Sequence, residues 1–372
     1  MAGSNLTKPL GLDEPKPRRR AFYIVAGAAL AVFAIAAIAW LLLPGTHGPT
    51  ATAVINAPPA NPPAVAPAQG AATQPTRPAT LTELAPNGSL SNVGDVVIHN
   101  PSDPQPIALA ALPEQDLIEA SSDGPLPRIS AGGKRPLDAY ARPSQTNSRY
   151  IRIAIVVGGI GIDPGGTKDA IATLPGEVTL AFAPYDQTMA ADVVSARAAG
   201  HELLLQVPLE PFNYPQTDPG PNTLTADATP AENQSRLRWF LSRMTNYVGV
   251  VNYLGARFTA EGDAMTPLMQ EIAGRGLLYL DDGSSARSKA AEIAGKTTPF
   301  LRADVVLDAD LSPAAIDDRL NQLQAIARDR GYAVATATAF PVTVERVTAF
   351  VNAAANKGIA IVPVSAVLGG HS

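Results

Sequence analysis

The sequence predicts an α/β fold in which parallel strands form a closed or nearly closed barrel. From Ile151 onward, short β-rich runs alternate with helical stretches. Regular alternation of this kind gives a parallel sheet through right-handed crossovers. The first run, Arg152–Val157, has no polar alternation, which is typical of a strand buried on both faces. The length of the alternating region favours a barrel over the alternative, an open sheet.

The individual elements follow from the same patterns. The predicted strands are Arg152–Val157, Val178–Phe182, Glu202–Val207, Val248–Val251, Leu277–Leu280, Ala303–Leu307, Tyr332–Thr336 and Ile359–Val364. A capping box from Thr229 to Glu232, with proline at the first helical position, predicts a helix over Ala231–Met244. A second helix is predicted over Ala314–Arg330, where Gly331 ends it.

The amino-terminal region predicts a membrane anchor. Ala21–Leu43 carries no charged residue and, as a helix rising ~1.5 Å per residue, would span a hydrocarbon core of roughly 30 Å. The basic residues Lys8, Lys16, Arg18, Arg19 and Arg20 precede it. The positive-inside rule therefore predicts that residues 1–20 are cytoplasmic and that the chain after Pro44 lies outside. A cleaved signal peptide is the alternative, although its apolar core is normally ~7–15 residues long.

Two further segments separate this anchor from the predicted barrel. Residues 44–92 are rich in Pro, Ala, Thr and Asn, and so bury too little apolar surface to offset their chain entropy. We expect them to form an extended tether. Apolar residues reappear among prolines over 93–148, without clear periodicity. This stretch is expected to be an irregular arm docked on the barrel domain of residues 149–370, and a continuation of the linker is the alternative.

Composition restricts the chemistry. The chain has no cysteine, which excludes disulfides, thiolate metal ligands and thiol nucleophiles. The net charge is −5 and no basic patch lies outside the juxtamembrane cluster, so nucleic acid is not expected as a partner. Of four histidines, only His201 lies within the predicted barrel. It begins a strand, far from the expected crevice, and is interpreted as structural.

The candidate site lies where the strands end, because ligands bind at the carboxyl ends of the strands in β/α barrels. The residues placed there are Gly158, Gly159, Asp186, Glu210, Asn252, Tyr253, Asp281, Asp282, Asp308 and Phe340. Glycines after the first strand also loosely match a dinucleotide-binding turn. Pro164 and an incomplete glycine spacing break that pattern.

Several ordered motifs resemble those of the divergent polysaccharide deacetylase family. They are I-A-I-V-V-G-G-I-G, V-T-L-A-F-A-P-Y, G-H-E-L-L-L-Q-V-P-L-E-P, G-P-N-T-L, G-V-V-N-Y-L-G-A-R-F-T, L-L-Y-L-D-D and I-V-P-V-S, together with G-P-L-P-R-I-S in the arm. The resemblance covers 152–368. It implies a distorted β/α barrel of the polysaccharide deacetylase type, related to metal-dependent carbohydrate de-N-acetylases. The implied ligand is cell-envelope polysaccharide or peptidoglycan. We expect the chain to be anchored in the inner membrane and to bind this ligand in the periplasm.

The chain departs from the metal-binding members of that family at three places. The resemblance implies two aspartates after the first strand, an Asn-His pair after the fourth and a His-Pro after the seventh. This sequence has Gly158-Gly159, Asn252-Tyr253 and Phe340-Pro341 instead. A catalytic zinc needs about three protein ligands and an open water position. We therefore expect no metal or other cofactor, and a divalent metal such as zinc is the less favoured alternative.

Two functional hypotheses remain. In the first, the protein is a glycan-binding module or pseudo-enzyme that has lost hydrolysis. In the second, it is a hydrolase or deacetylase with a relocated site, in which Glu210 and Asp281 are the catalytic carboxylates. Because neighbouring strand residues face opposite ways, Asp281 is expected to point inward and Asp282 outward. The candidate ligand-binding residues are Gly158, Gly159, Asn252, Tyr253, Arg257, Asp282 and Phe340, although structural roles for Glu210, Asn252 and Arg257 are equally open.

Overall fold

A computed structural model describes residues 109–144, 150–186 and 188–368. The predicted cytoplasmic segment, membrane anchor and linker, residues 1–92, lie outside these ranges, as do residues 93–108 and 145–148 of the predicted arm. Within the described ranges, no helix combines the length and the apolar character needed to cross a bilayer.

The elements follow one another from the arm into alternating strands and helices. The strands are β1 Ile118–Ser121, β2 Gly124–Pro127, β3 Ile151–Ile160, β4 Thr179–Phe182, β5 Leu203–Leu209, β6 Gly249–Leu254, β7 Leu278–Asp281, β8 Phe300–Arg302, β9 Val305–Val306, β10 Tyr332–Thr338 and β11 Ile359–Ile361. The α-helices are α1 Pro136–Ala139, α2 Pro164–Thr173, α3 Met189–Ala198, α4 Pro230–Leu241, α5 Gly262–Gly274, α6 Ala290–Ala294, α7 Pro313–Arg330, α8 Pro341–Ala354 and α9 Val364–Leu368. The predicted capping box at Thr229 and the left-handed Gly331 that ends α7 are both confirmed.

The main sheet is parallel and curled. Its strand order is β8-β7-β6-β5-β4-β3-β10-β9, and β11 also pairs with β3. The two end strands, β8 and β9, are separated in sequence only by Ala303 and Asp304. The Ala303 N–H donates to the Asp281 carbonyl at 2.9 Å, and the Asp304 N–H donates to the Val334 carbonyl at 2.7 Å. A kink of two residues therefore joins the two ends of the sheet, as expected of a β/α barrel.

One predicted strand was wrong in its bounds. The sequence predicts a continuous strand over Ala303–Leu307, whereas the structure has two short strands on either side of the kink. The physical reason is that this segment hydrogen-bonds to two different strands: β8 pairs with β7, and β9 pairs with β10. The other predicted strands each overlap an observed strand.

The buried residues form two cores, one on each face of the sheet. The outer core lies between the sheet and the helices, and includes Ile155 of β3 and Phe240 of α4. The inner core lies on the concave face and takes residues from β3 to β8 and from β10. Its strand members are Ala154, Val156, Ala181, Leu204, Val251, Leu278, Leu280, Leu301 and Val334. Along each strand, membership of the inner core therefore shows which residues face the barrel interior.

The arm supplies the floor of the barrel at the amino-terminal ends of the strands. Leu117, Leu137 and Tyr140 belong to the inner core and are at most 5% exposed. The sequence gives no periodicity in this region, whereas the structure places the antiparallel pair β1–β2 and the short helix α1 there. Val362, Val364 and Val367, from the carboxyl terminus, pack into the same cluster.

Buried polar groups tie the floor together. The Arg197 guanidinium is 1% exposed and donates to the carbonyls of Ala110 and Tyr140 in the arm. The buried Glu202 carboxylate accepts the backbone N–H groups of Arg142 and Ser365, each at 3.0 Å, and also the Ser365 hydroxyl. Burial raises the pKa of Glu202, although these hydrogen bonds oppose the shift. One carboxylate thus links the barrel, the arm and the carboxyl terminus.

Candidate functional site

The candidate site is the open end of the barrel interior, where the strands end; we call it the mouth. Gly158 and Gly159 lie there near the end of β3. Gly159 has φ +76°, a conformation that favours glycine, and its N–H donates to Gln206 Oε1 at 2.8 Å. A Cβ on Gly158 would lie 2.7 Å from Gln206 Nε2. Gln206 therefore occupies the space that a side chain at position 158 would need.

Gln206 is a mouth residue that the sequence analysis missed. It lies on β5 two residues after Leu204, which belongs to the inner core, so it faces the interior. Its signal in the sequence is a single amide within the otherwise apolar run L-L-L-Q-V-P-L. The alternation of inward and outward residues along the strand would have been enough to identify Gln206 as a candidate site residue.

The predicted orientations of Asp281 and Asp282 are wrong. Leu278 and Leu280 belong to the inner core and Tyr279 to the outer core, so alternation places Asp281 on the helix-facing side with Tyr279. Asp281 is 2% exposed; its Oδ1 accepts the Gly283 N–H at 2.9 Å, and its Oδ2 has no partner among the described residues. The inward position belongs to Asp282.

Asp282 is held as an acceptor at the mouth. One oxygen, Oδ1, accepts both the N–H of Ser284 at 2.9 Å and its hydroxyl at 2.7 Å. The Asp282 carbonyl accepts the Thr336 hydroxyl at 3.0 Å, from the neighbouring side of the barrel. Burial raises the pKa of the Asp282 carboxyl, and the nearby Asp281 raises it further.

Asn252 joins two strands and does not line the mouth. Its amide nitrogen donates to the Leu254 carbonyl at 2.7 Å. Its oxygen accepts the Asp282 N–H at 3.0 Å and the Tyr279 hydroxyl at 3.3 Å. Both ends of the amide are therefore bonded to the protein, and Asn252 fixes the ends of β6 and β7 relative to each other. The next residue, Tyr253, is 41% exposed.

Glu210 and Arg257 form an ion pair beneath the loops that follow β5 and β6. Glu210 is 3% exposed. Its Oε1 accepts from Arg257 Nη1 and its Oε2 accepts the Ala226 N–H at 2.7 Å. Arg257 also bonds both carboxylate oxygens of Asp227, at 2.7 and 2.8 Å. Because Glu210 is bonded at both oxygens, its visible role is to fix these loops.

Replacing Glu210 with glutamine is expected to lower the free energy of unfolding by roughly 1.5–3 kcal/mol. The carboxylate accepts from both Arg257 and the Ala226 N–H. A glutamine amide has only one oxygen, so its NH₂ group would face one of these two donors, and the negative charge that pairs with Arg257 is lost. Urea unfolding would measure the change, with Glu292→Gln, on the exposed surface of α6, as the matched control. Equal stability of the two variants would contradict a structural role for Glu210.

Most of the exposed aromatic side chains follow the carboxyl ends of strands, although Tyr185 packs against Trp239 and Phe240 of α4. Among the described residues, the aromatic side chains counted as exposed are Tyr150, Tyr185, Phe212, Tyr214, Tyr253 and Phe340. All of them except Tyr150 lie at, or just after, the carboxyl end of a strand: β4, β5, β6 or β10. The Arg287 guanidinium lies over the Phe212 ring, 5.4 Å from its centroid. The mouth therefore combines aromatic surfaces with fixed polar groups.

The residues at the mouth do not fit a catalytic zinc site. Within the described ranges, no three side chains of the types that ligate metals lie close enough together to hold an ion. Gly158 and Gly159 offer no side-chain ligand, and Gln206 fills the adjoining space. Tyr253 and Phe340 stand where the resemblance implies imidazoles. Glycine, tyrosine and phenylalanine do not supply the nitrogen and oxygen ligands that such a zinc requires.

The profile of the divergent polysaccharide deacetylase family matches residues 155–368. The chain belongs to this family. The matched region runs from the middle of β3 to α9, so it includes nearly all of the curled sheet and the mouth. The arm, which fills the floor of the barrel, lies before it.

Relatives occur in several Gram-negative bacteria. The uncharacterized protein YibQ of Escherichia coli K12 is 25% identical over 194 residues, which are 52% of this chain and 60% of YibQ. An uncharacterized Haemophilus influenzae protein is also 25% identical over 194 residues, 68% of its length. The crystal structure of uncharacterized protein ATU2773 from Agrobacterium tumefaciens C58 shares 46% identity with a TM-score of 0.64, covering 66% of this chain and 99% of that one.

Proposed function

We propose that this chain is a glycan-binding member of the divergent polysaccharide deacetylase family that has lost metal-dependent hydrolysis. Its ligand is a cell-envelope polysaccharide or peptidoglycan, bound at the mouth of a distorted barrel. The family supports a glycan ligand. In this proposal residues 21–43 hold the chain in the inner membrane, with the amino terminus in the cytoplasm and the barrel in the periplasm.

The exposed aromatic residues of the mouth carry the proposal. Sugar rings present C–H faces that stack on aromatic rings, while their hydroxyls need fixed donors and acceptors. Tyr253 and Phe340, 41% and 42% exposed, offer such rings, and Gln206 and Asp282 offer polar groups on the interior face. Tyr253 and Phe340 are exposed and not packed in the core, and a ligand-binding role accounts for that exposure.

A relocated hydrolytic site at Glu210 and Asp281 gains no support from the geometry. The Glu210 carboxylate is bonded to Arg257 and to the Ala226 backbone. Alternation along β7 places Asp281 on the opposite face of the sheet from the mouth. A general base must reach its substrate within hydrogen-bond distance. Binding is therefore the function that we favour.

The aromatic residues provide a direct test of the proposal. Tyr253→Ala and Phe340→Ala are each expected to weaken the binding of full-length protein to peptidoglycan or chitin oligosaccharides by about five- to tenfold, since one aromatic contact is worth ~1 kcal/mol. Melting temperatures should stay unchanged because both rings are exposed. Tyr150→Ala, at an exposed tyrosine outside the mouth, is the matched control. Unchanged glycan binding in both mouth variants would refute the proposal.

The loss of the metal site is tested separately. Protein purified without chelator is expected to contain much less than one equivalent of zinc, manganese or nickel, since the mouth lacks the ligands that hold them. Substituting aspartates at positions 158 and 159 should not restore metal binding, because Tyr253 and Phe340 still lack imidazole. One tightly held equivalent, lost on substituting mouth residues, would contradict the prediction.

A further inference from the structure

Gln206 combines a fixed orientation with an unsatisfied donor. Its Oε1 accepts the Gly159 N–H at 2.8 Å, which fixes the direction of the Nε2 group. No described residue is bonded to Nε2. In the described part of the chain, the solvent-inaccessible side-chain N and O atoms that lack a hydrogen-bond partner are Asp281 Oδ2 and Thr348 Oγ1 only. Gln206 Nε2 therefore remains open to solvent and presents its N–H groups to the mouth.

The amide lies on the β3 side of the mouth, close to Phe340. From β5 the Gln206 side chain reaches across β4 to Gly158 and Gly159 of β3. Gly158 pairs with Thr338 of β10, which lies two residues before Phe340. Gly158, beside the amide, carries no side chain that could cover it. A sugar stacked on Phe340 would therefore lie beside the Gln206 amide.

We propose that Gln206 is the specificity-determining contact of the mouth, donating to the acyl oxygen of an N-acetylated sugar. This inference rests on the proposed glycan-binding function. The acyl oxygen of an N-acetyl group accepts a hydrogen bond from Nε2. A protonated sugar amine has only donors, so the two N–H groups would face each other unpaired. The mouth is therefore expected to favour neutral over amine-bearing glycans.

Asp282 would favour the opposite preference, for an amine-bearing glycan. A carboxylate at the same mouth attracts a protonated amine. Its Oδ1 is already bonded to Ser284, however, and burial favours its neutral form. If Asp282 dominated, the wild-type protein would prefer the amine-bearing glycan.

The experiment compares an N-acetylglucosamine oligomer with the matching glucosamine oligomer, below the pKa of the sugar amine. Calorimetry on full-length protein is expected to show about tenfold tighter binding of the neutral oligomer, the cost of one unpaired donor. Gln206→Glu keeps the acceptor for Gly159 but replaces the donor with an anion. It should abolish or reverse the preference. Gln322→Glu, on the exposed surface of α7, makes the same chemical change away from the mouth and should keep it.

The outcomes separate the two proposals. Binding of neither oligomer to the wild-type protein would overturn the proposed glycan function. A wild-type preference for the amine-bearing oligomer would overturn the role of Gln206 alone. An unchanged ratio in a Gln206→Glu variant that melts like the wild type would do the same. If that variant fails to fold, Gln206→Met, which has a similar length and no donor, replaces it in the comparison.

Discussion

A chain that begins at residue 150 is expected not to fold. It retains the whole family region but loses the arm, whose Leu117 and Tyr140 are fully buried in the floor of the barrel. Truncating one such side chain typically costs about 2–5 kcal/mol, and domains are stable by only about 5–15 kcal/mol in total. Circular dichroism and gel filtration of chains beginning at residues 109 and 150 would test this. A folded shorter chain that melts at the same temperature as the longer one would contradict it.

Point substitutions separate packing in the floor from simple truncation. Tyr140→Ala is expected to lower the free energy of unfolding by about 3–5 kcal/mol, because it also removes the hydroxyl that accepts the Glu114 N–H at 2.9 Å. Leu112→Ala, at an arm residue that is 73% exposed, is the matched control and should change little.

Replacing Gly249 with alanine should destabilise the centre of the sheet by about 3 kcal/mol. Gly249 begins β6 and pairs with Leu278 of β7. A Cβ there would lie 2.3 Å from the Leu278 carbonyl oxygen, which is backbone and cannot rotate away. The two strands would have to separate at a point where both faces are packed. Thermal unfolding would show the loss.

A second glycine supplies the control with the opposite sign. Gly274 ends α5, and a Cβ at that position would meet nothing within 4 Å. Gly274→Ala should therefore stabilise the protein by up to about 1 kcal/mol, since alanine loses less backbone freedom on folding. If both alanine variants shifted the melting temperature equally, the overlap with Leu278 could not be the cause.

The sequence predicted the strands and the two capped helices because those signals are local. Apolar runs and the Thr229–Glu232 capping box need only neighbouring residues to be recognised. The kink between β8 and β9 could not be predicted in this way, since it arises from pairing with β7 and β10, which lie far away in the sequence. The structure of the arm could not be predicted for the same reason. Its apolar residues have no period of their own because they fill a floor that other segments build.

The candidate site was predicted less well than the fold, because it depends on which way each side chain points. The prediction assigned the inward-facing position after β7 to Asp281, whereas alternation with Leu278 and Leu280 gives it to Asp282. Glu210 and Arg257 were selected as polar residues near strand ends, but the sequence did not show that they would pair with each other. Gln206 was missed, although it lies two residues after Leu204 and so faces the same side of the strand.

The position of β11 has a consequence for the order in which this domain can form. β11 pairs with the start of β3, the first strand of the barrel, and Ser365 bonds to Glu202 just before β5. The last part of the described chain therefore completes contacts with strands that are made much earlier. Contacts between such distant segments slow folding, because a long loop must close before they form. During synthesis, the apolar interior of the barrel cannot be sealed until the final helix has been made. We therefore expect nascent chains that stop before Ile359 to expose this interior and to require chaperones.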